Sequence, residues 1–377
     1  MSVRIGSLFS GYGGLDLAAL QLFPGASVAW HCEWEAAPSA ILDHHWPGVL
    51  NLHDVTTVDW DAVEPVDILT GGYPCQPFSA AGRRKGTTDE RHLWPYVREA
   101  IRRVRPRYTL LENVAGHRSL GFDRVLGDMA EDGMHVRWTS VRASDVGACH
   151  RRERLFILVT DSPAHTGGDE LVRCPQRHSI PEEPRLATPC GDDVGGRHLV
   201  HQRAYRSTHG DVTTLLPTPT ATPYGSNQSP SAGAAVRPSL DGLVRMLPTP
   251  TSRDHKGAAN RPGRTRDGRP RTAGDDLLPD AVSKTADGTW GPYEAAVTRQ
   301  ASVSRPAPEP TERGREGNPR LAAAFAEWMM FLPAGHVTDP AIGLSRNDQL
   351  KAIGNGVCPP QAVAAYRSLL QMRAVAA

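Results

Sequence analysis

No apolar stretch in the 377-residue chain approaches the roughly 20 consecutive residues a bilayer-crossing helix needs, which excludes a membrane span. Charge of one sign is not in excess either. The formal net charge is +1, so a surface for a polyanion has to come from local clustering. Six cysteines (Cys32, Cys75, Cys149, Cys174, Cys190 and Cys358) are scattered without a C-x-x-C pair. That argues against a disulfide framework and fits a reducing, cytoplasmic setting. Met1-Ser2-Val3-Arg4-Ile5 leads straight into a strand pattern, with no signal peptide. Cys174, His178, Cys190, His198 and His201 share one region, but their spacings match no zinc-finger pattern, so no metal site is expected.

The most informative stretch that is present is Gly71-Gly72-Tyr73-Pro74-Cys75-Gln76-Pro77-Phe78-Ser79. It follows an apolar run over residues 66–70 that reads as a buried strand. The paired glycines let the chain turn sharply. Pro74 and Pro77 stiffen the backbone on either side of Cys75 and remove two donors. A thiol is thereby held at the carboxyl end of a strand, where ligands bind in open α/β sheets. A buried structural cysteine is the plainer alternative, yet few of those stand between prolines beside a double glycine.

A strand candidate at residues 3–8 runs into Phe9-Ser10-Gly11-Tyr12-Gly13-Gly14-Leu15 and then a helix pattern to about residue 22. Strand, glycine turn and helix start make a nucleotide-type site, because the helix N-terminus favours negative charge. The spacing is not G-x-G-x-x-G, which counts against a nicotinamide dinucleotide. A second strand over 26–32 ends in Glu33-Trp34. An acid there suits ribose hydroxyls, and an indole beside it can cover an adenine. Asp54, in His53-Asp54-Val55, serves equally well as an acceptor for an adenine amine or as a turn cap. A strand over 108–111 ends in Glu112-Asn113-Val114, so Glu112 is partly desolvated and its pKa should rise. Helix near 119–130 and strand near 136–141 follow. His150-Arg151-Arg152-Glu153-Arg154 then enters a strand over 155–160. Arg152 and Arg154 alternate, so both are expected on one face, suited to a carbonyl or phosphate.

From about residue 161 to 320 the chain is rich in Pro, Gly, Thr and Arg, with little periodicity. Leu-Pro-Thr-Pro-Thr occurs at 216–220 and again at 247–251, too brief a repeat for a solenoid. Basic residues cluster over 253–271, where Arg253, Lys256, Arg261 and Arg264 are candidates for phosphate contacts. A disordered linker is the alternative for parts of this region. Arg83, Arg84 and Lys85 lie in a glycine-punctuated loop that suits phosphate as well. Helix returns over 321–331, and Gln349-Leu350-Lys351-Ala352-Ile353-Gly354-Asn355-Gly356-Val357 leads into another over 360–372.

The Pro74-Cys75-Gln76-Pro77-Phe78-Ser79 run resembles the catalytic loop of the DNA (cytosine-5)-methyltransferases of bacterial or phage type. The other family blocks recur in the same order over residues 3–160 and 318–372. The resemblance implies S-adenosyl-L-methionine as cofactor, held by Phe9, Ser10, Gly11, Gly13, Gly14, Leu15, Glu33, Trp34, Asp54, Val55, Pro74, Leu93, Asn355 and Val357. It implies Cys75, Glu112, Arg152 and Arg154 as catalytic. Gln76, Ser79, Arg83, Arg84, Lys85, Arg253, Lys256, Arg261, Arg264 and Arg320 are the implied DNA contacts. His150 stands where the family usually has Gln, and Gly356 where Ser or Ala is common.

Strand–helix alternation over the first 160 residues itself predicts a doubly wound, mostly parallel sheet. The resemblance specifies seven strands, a Rossmann-like class I methyltransferase, with a smaller irregular target-recognition domain. The expected division is 1–163 catalytic, 164–325 target recognition, and 326–377 returning to the catalytic domain. The implied partner is duplex DNA, with a cognate restriction endonuclease sharing the site, and the implied state is a cytoplasmic monomer. An RNA cytosine-5 methyltransferase and a catalytically weak DNA-binding homologue are the alternatives in the same family. A nicotinamide enzyme is the alternative outside it.

Overall fold

The structure, a computed structural model, describes residues 2–74, 93–161, 246–256, 265–266, 269–270, 278–283, 290–314, 317 and 319–371. Cys75, Gln76, Ser79, Arg83, Arg84, Lys85, Arg261 and Arg264 lie outside the described residues. So do the cysteines and histidines of the region considered for zinc. The chain divides into two compact units, and the described residues belong to the one formed by 1–171 with 245–377.

Seven strands make one sheet: β1 (Arg4–Leu8), β2 (Ser27–Cys32), β3 (Leu50–Asn51), β4 (Ile68–Gly71), β5 (Tyr108–Val114), β6 (His135–Arg142) and β7 (Glu153–Thr160). Their order is β3-β2-β1-β4-β5-β7-β6. Pairing is parallel from β3 through β5, and β7 is antiparallel to both neighbours. Strand residues alternate between two cores, as a period of two requires. Ile68, Leu110, Phe156 and Leu158 face α1 (Gly14–Leu22) and α9 (Pro359–Gln371). Leu69, Leu111, Leu155 and Ile157 face α3 (Trp94–Val104) and α4 (Phe122–Glu131). Strands covered on both sides read as near-continuous apolar runs, which is why they were visible in the sequence. The chain winds outward from β1 to β3 and then returns to β4. The topological switch point therefore lies between β1 and β4, whose carboxyl ends carry the glycine loop and the turn before Cys75.

A third core joins α2 (Ala36–His45), α5 (Leu278–Ser283), α6 (Glu294–Val303), α7 (Ala323–Met329) and α8 (Arg346–Asn355) around Leu247, Val297, Phe325, Trp328, Leu350 and Ile353. Short antiparallel pairs, β8 (Thr265–Arg266) with β9 (Arg269–Pro270) and β10 (Thr311–Arg313) with β11 (Pro319–Leu321), complete the described elements. Glu327, buried in α7, accepts from the amides of Gly335, Val337 and Thr338 and from the Thr338 hydroxyl. It thereby shapes the loop that follows, because each of those donors needs a partner.

Two sequence expectations shift. β5 runs on to Val114, so Glu112 sits inside a strand opposite Phe156 rather than after one. The helix expected from 119 begins at Phe122, because Gly121 with φ 87° breaks the chain after a 3-10 turn at Ala115–Ser119.

Candidate active site

The glycine loop leaves β1 at Phe9, whose amide donates to the Cys32 carbonyl at 2.9 Å. Gly13 N then donates to the Ser10 carbonyl at 2.8 Å, and the Ser10 hydroxyl to the Ser7 carbonyl at 3.2 Å. Gly11 and Gly13 have φ of 57° and 82°, a region that favours glycine. Gly11 N donates to Glu33 Oε2, and Glu35 N to Glu33 Oε1, both at 2.8 Å. Each carboxylate oxygen keeps a further lone pair. Burial raises the Glu33 pKa, opposed by the amides of Glu35 and Gly11. Trp34 beside it is 72% exposed, so its indole face is open.

Against the S-adenosylmethionine that the sequence resemblance implies, Glu33→Ala is expected to weaken binding by about 1.5–3 kcal/mol, roughly ten- to a hundredfold in Kd. The saturated rate should change less, because ribose is remote from the reacting carbon. Calorimetry giving an unchanged Kd would remove Glu33 from the pocket.

Asp54 Oδ1 accepts from Thr56 N at 2.9 Å and Thr56 Oγ1 at 2.8 Å, so Asp54 does cap a turn. Val55 is buried, Leu15 points from α1 into the core, Pro74 is exposed, and Leu93 precedes α3 half-buried. A cleft of about 420 Å³ opens beside Trp34, lined also by Glu35, Ala36, Ala37, Pro38, Asp348, Lys351 and Ala352.

Tyr12, to which sequence reasoning gave no role, closes the loop onto the far end of the chain. Fully buried, it donates its hydroxyl to the Val357 carbonyl at 2.7 Å. A Cβ on Gly356 would overlap Cε1, Cζ and Cδ1 of the Tyr12 ring, and a Cβ on Gly14 would overlap the Val357 carbonyl. Asn355 is exposed at the end of α8. His336 Nε2 donates to the Tyr12 carbonyl at 2.8 Å, and its ring stacks on His45 at 4.1 Å. Burial takes the His336 pKa down to about 4.

Asp16 also went unnoticed, since an acid in the first turn of a helix reads as a dipole complement. Wholly buried, it accepts from Ser7 Oγ at 2.9 Å and Thr70 Oγ1 at 2.7 Å, with His31 Nε2 3.8 Å away. It ties β1 to β4 beneath both loops.

Glu112 pairs with Arg154, Nε to Oε1 at 2.9 Å. Burial raises the Glu112 pKa, and Arg154 followed by Arg152 pull it back. A Cβ on Gly72 would stand 3.6 Å from Glu112 Oε2, so this carboxyl lies beside the turn that leads to Cys75.

Arg152 corrects the expectation of two arginines on one strand face. It precedes β7 and has φ 33°, so the strand alternation does not extend to it. Its buried guanidinium donates to the carbonyls of Pro250 (3.0 Å), Gly354 (3.1 Å) and Gly356. Its amide meets Thr249 Oγ1 at 3.2 Å, and its carbonyl accepts from Gln361 Nε2 at 2.7 Å. Burial, with Arg154 adding, lowers its pKa to about 10. His150, in place of the usual Gln, donates from Nε2 to the Met329 carbonyl at 3.0 Å, and burial takes its pKa to about 3.

The second Leu-Pro-Thr-Pro-Thr copy is the strap that Arg152 grips. Leu247 N donates to the Cys149 carbonyl at 2.8 Å, and the Thr251 amide and hydroxyl both donate to the Asp254 carboxylate. The Thr251–Ser252 backbone lies against Gly354, where any side chain would collide. Arg253 projects from this strap exposed, and Lys256 ends its last turn. Arg320 is engaged with Glu312 at 2.7 Å, a carboxylate it shares with Arg346.

Among the described residues no three His, Cys, Asp or Glu gather as metal ligands. No helix among them is long and apolar enough to cross a membrane.

The crystal structure of S. pombe Dnmt2 methyltransferase aligns over 98% of both chains with a TM-score of 0.51 and 13% identity, a likeness of fold alone. The fold is the Rossmann-like class I methyltransferase fold. Type II methyltransferase M.Bsp6I of Bacillus sp. (strain RFL6) is 31% identical over 163 residues, 41% of this chain and 51% of that protein. Orphan methyltransferase M.SPRI of Bacillus phage SPR is 32% identical over 164 residues, 41% of this chain and 37% of that protein. The matched part thus spans about half of the first relative and just over a third of the second. A family model described as C-5 cytosine-specific DNA methylase matches residues 3–208, which hold the glycine loop, Glu33, Cys75, Glu112 and Arg154. With more than half of its length inside that match, the chain belongs to the C-5 cytosine-specific DNA methylase family.

Proposed function

We propose that the chain transfers a methyl group from S-adenosyl-L-methionine to C5 of cytosine within a specific duplex DNA sequence. One observation carries the reading: the buried carboxyl of Glu112, paired with half-buried Arg154, lies against Gly72, three residues ahead of Cys75, at the switch point of the sheet. The cofactor suits the residues beside it. Left-handed glycines allow close approach, Glu33 has lone pairs to spare for ribose hydroxyls, and the Trp34 indole is open to an adenine. Once bound, S-adenosylmethionine supplies an electrophilic methyl group.

Cytosine C5 is a poor nucleophile, and the chain's own residues make it a better one. The Cys75 thiolate adds to C6, and the C5–C6 π electrons move so that C5 becomes enamine-like. A free thiol has a pKa of about 8.5, so its proton has to leave before or during attack. Glu112, held protonated to a higher pH by burial, donates to N3 and absorbs the developing charge. Arg154 donates to O2, while Arg152 holds the strap and the carboxyl-terminal block around the pocket. After C5 is methylated, loss of the C5 proton to a base expels Cys75 from C6 and restores the ring. The target base sits inside a duplex, so it is flipped out to reach the thiol.

Residues 164–325 are proposed to choose the DNA sequence. Arg253, exposed on the strap, together with Lys256, Arg261, Arg264, Arg83, Arg84 and Lys85 would contact phosphate, and Gln76 and Ser79 would contact the DNA as well. Arg320 has to exchange Glu312 for DNA to join them. A restriction endonuclease sharing the site, a monomeric state and a cytoplasmic location belong to the same proposal.

The test is methyl transfer from labelled cofactor to duplex DNA, with bisulfite sequencing to map the product. Cys75→Ser should abolish transfer and leave cofactor affinity intact. Wild-type turnover in that variant, or methyl placed elsewhere than C5, would sink the mechanism.

A further inference from the structure

Tyr73, two residues ahead of Cys75, has no task in the chemistry above, yet it is among the most firmly held residues of the site. Only 4% exposed, it packs on Trp94 with ring centroids 5.4 Å apart. Its carbonyl accepts from Asn113 Nδ2 at 3.1 Å, and Asn113 adjoins Glu112. Its hydroxyl lies 2.8 Å from His117 Nε2. His117 is 2% exposed, and its Nδ1 lies 3.0 Å from the Leu120 carbonyl. A carbonyl only accepts, so Nδ1 carries the proton and Nε2 is left as the acceptor for the Tyr73 hydroxyl. Phe122 meets the His117 ring edge-on at 5.8 Å and limits its rotation. The turn at residues 72–74 is therefore fastened at two points, through its backbone to the end of β5 and through a side chain to the 3-10 turn that follows.

We propose that Tyr73 and His117 are positioning residues: their hydrogen bond sets the turn that delivers the nucleophile against the strand end that carries Glu112. The inference rests on the methyl-transfer reading, since the distance between thiol and acid matters only if both act on one base. Small displacements of a reacting group are costly in rate, whereas cofactor contacts made on the β1 side of the switch point do not depend on this bond.

Tyr73→Phe removes one oxygen and leaves the ring packing. It is expected to lower the single-turnover rate about tenfold at saturating DNA and cofactor, with cofactor Kd unchanged within about twofold. His117→Leu, which also gives up the bond to the Leu120 carbonyl, should lower the rate at least as much, and the double variant should be no slower than His117→Leu, since the Tyr73–His117 bond is already lost there. His117→Gln, which restores an acceptor, should recover most of the rate. Alkylation of Cys75 by iodoacetamide, mapped by mass spectrometry, gives a readout free of turnover. Its rate should change about threefold or more in Tyr73→Phe and return in His117→Gln. Unchanged alkylation and rate in Tyr73→Phe, or multiplicative losses in the double variant, would overturn the assignment. A wild-type protein that methylates no cytosine would instead overturn the parent reading, while the alkylation series still decides whether Tyr73 and His117 hold the turn.

Discussion

Gly356→Ala should cost the protein both stability and its cofactor, although the family commonly carries Ala or Ser at that place. The backbone does not forbid it: with φ −77° and ψ 180°, Gly356 adopts a conformation open to any residue. The obstacle is the Tyr12 ring, which already occupies the space of a side chain. Nor can the ring move aside cheaply. Its hydroxyl is bonded to Val357, and the Tyr12 backbone is held by His336. Overpacking of this kind costs about 1–3 kcal/mol, and here the displacement falls on the glycine loop. Cofactor affinity should fall more than about tenfold, alongside a lower Tm. A second change tests the cause. Tyr12→Leu with Gly356→Ala should regain much of what Gly356→Ala lost, because the smaller side chain vacates the volume. Losses that simply add in this double-mutant cycle would show that Tyr12 and Gly356 do not compete for one space.

Glu112→Gln is the second large effect. The amide keeps the shape and can still accept from Arg154, but it has no proton to transfer. Loss of about 10²–10⁴-fold in the single-turnover rate is expected, with cofactor binding retained. Wild-type rates should fall on the alkaline side as Glu112 gives up its proton, and that limb should disappear in the variant. The stability linkage has a definite sign. Burial raises the Glu112 pKa in the folded state above its unfolded value of about 4.3. Its contribution is therefore present below the unfolded pKa and lost as pH rises through the folded one. Relative to Glu112→Gln, the wild type should lose stability as pH climbs from about 4. A flat difference across that range would mean that Arg154 cancels the effect of burial.

The parts of this site that could be read from the chain are those where local sequence decides local structure. The strands around Ile68, Leu110 and Ile157 are covered on both faces, so their apolar runs announce them. The glycine loop, Glu33 and Glu112 sit at strand ends, where short patterns carry the geometry. What escaped is what depends on distant partners. The alternation of Arg152 with Arg154 suggested a shared face, but Pro250, Gly354 and Gly356 turn the first arginine inward, and none lies within 90 residues of it. Asp16 drew no notice because its partners Ser7 and Thr70 are neighbours only in the folded sheet. Tyr12 was hidden among glycines, and its counterpart Gly356 looked like a tolerated departure. Only the fold shows that each explains the other.

The hydrogen bond from Tyr12 to Val357 has a consequence in time. Its partners are 345 residues apart, so a chain emerging from the ribosome makes the first half of the cofactor pocket long before the second exists. At about 5–20 residues per second, the interval is on the order of tens of seconds. Throughout it the glycine loop, Glu33 and the Cys75 turn can be folded, yet Tyr12 has no carbonyl to close upon. A nascent chain stalled before Gly356 is thus expected to be an incomplete enzyme, and competence arrives as a late event in synthesis, once Val357 and then α9 have emerged.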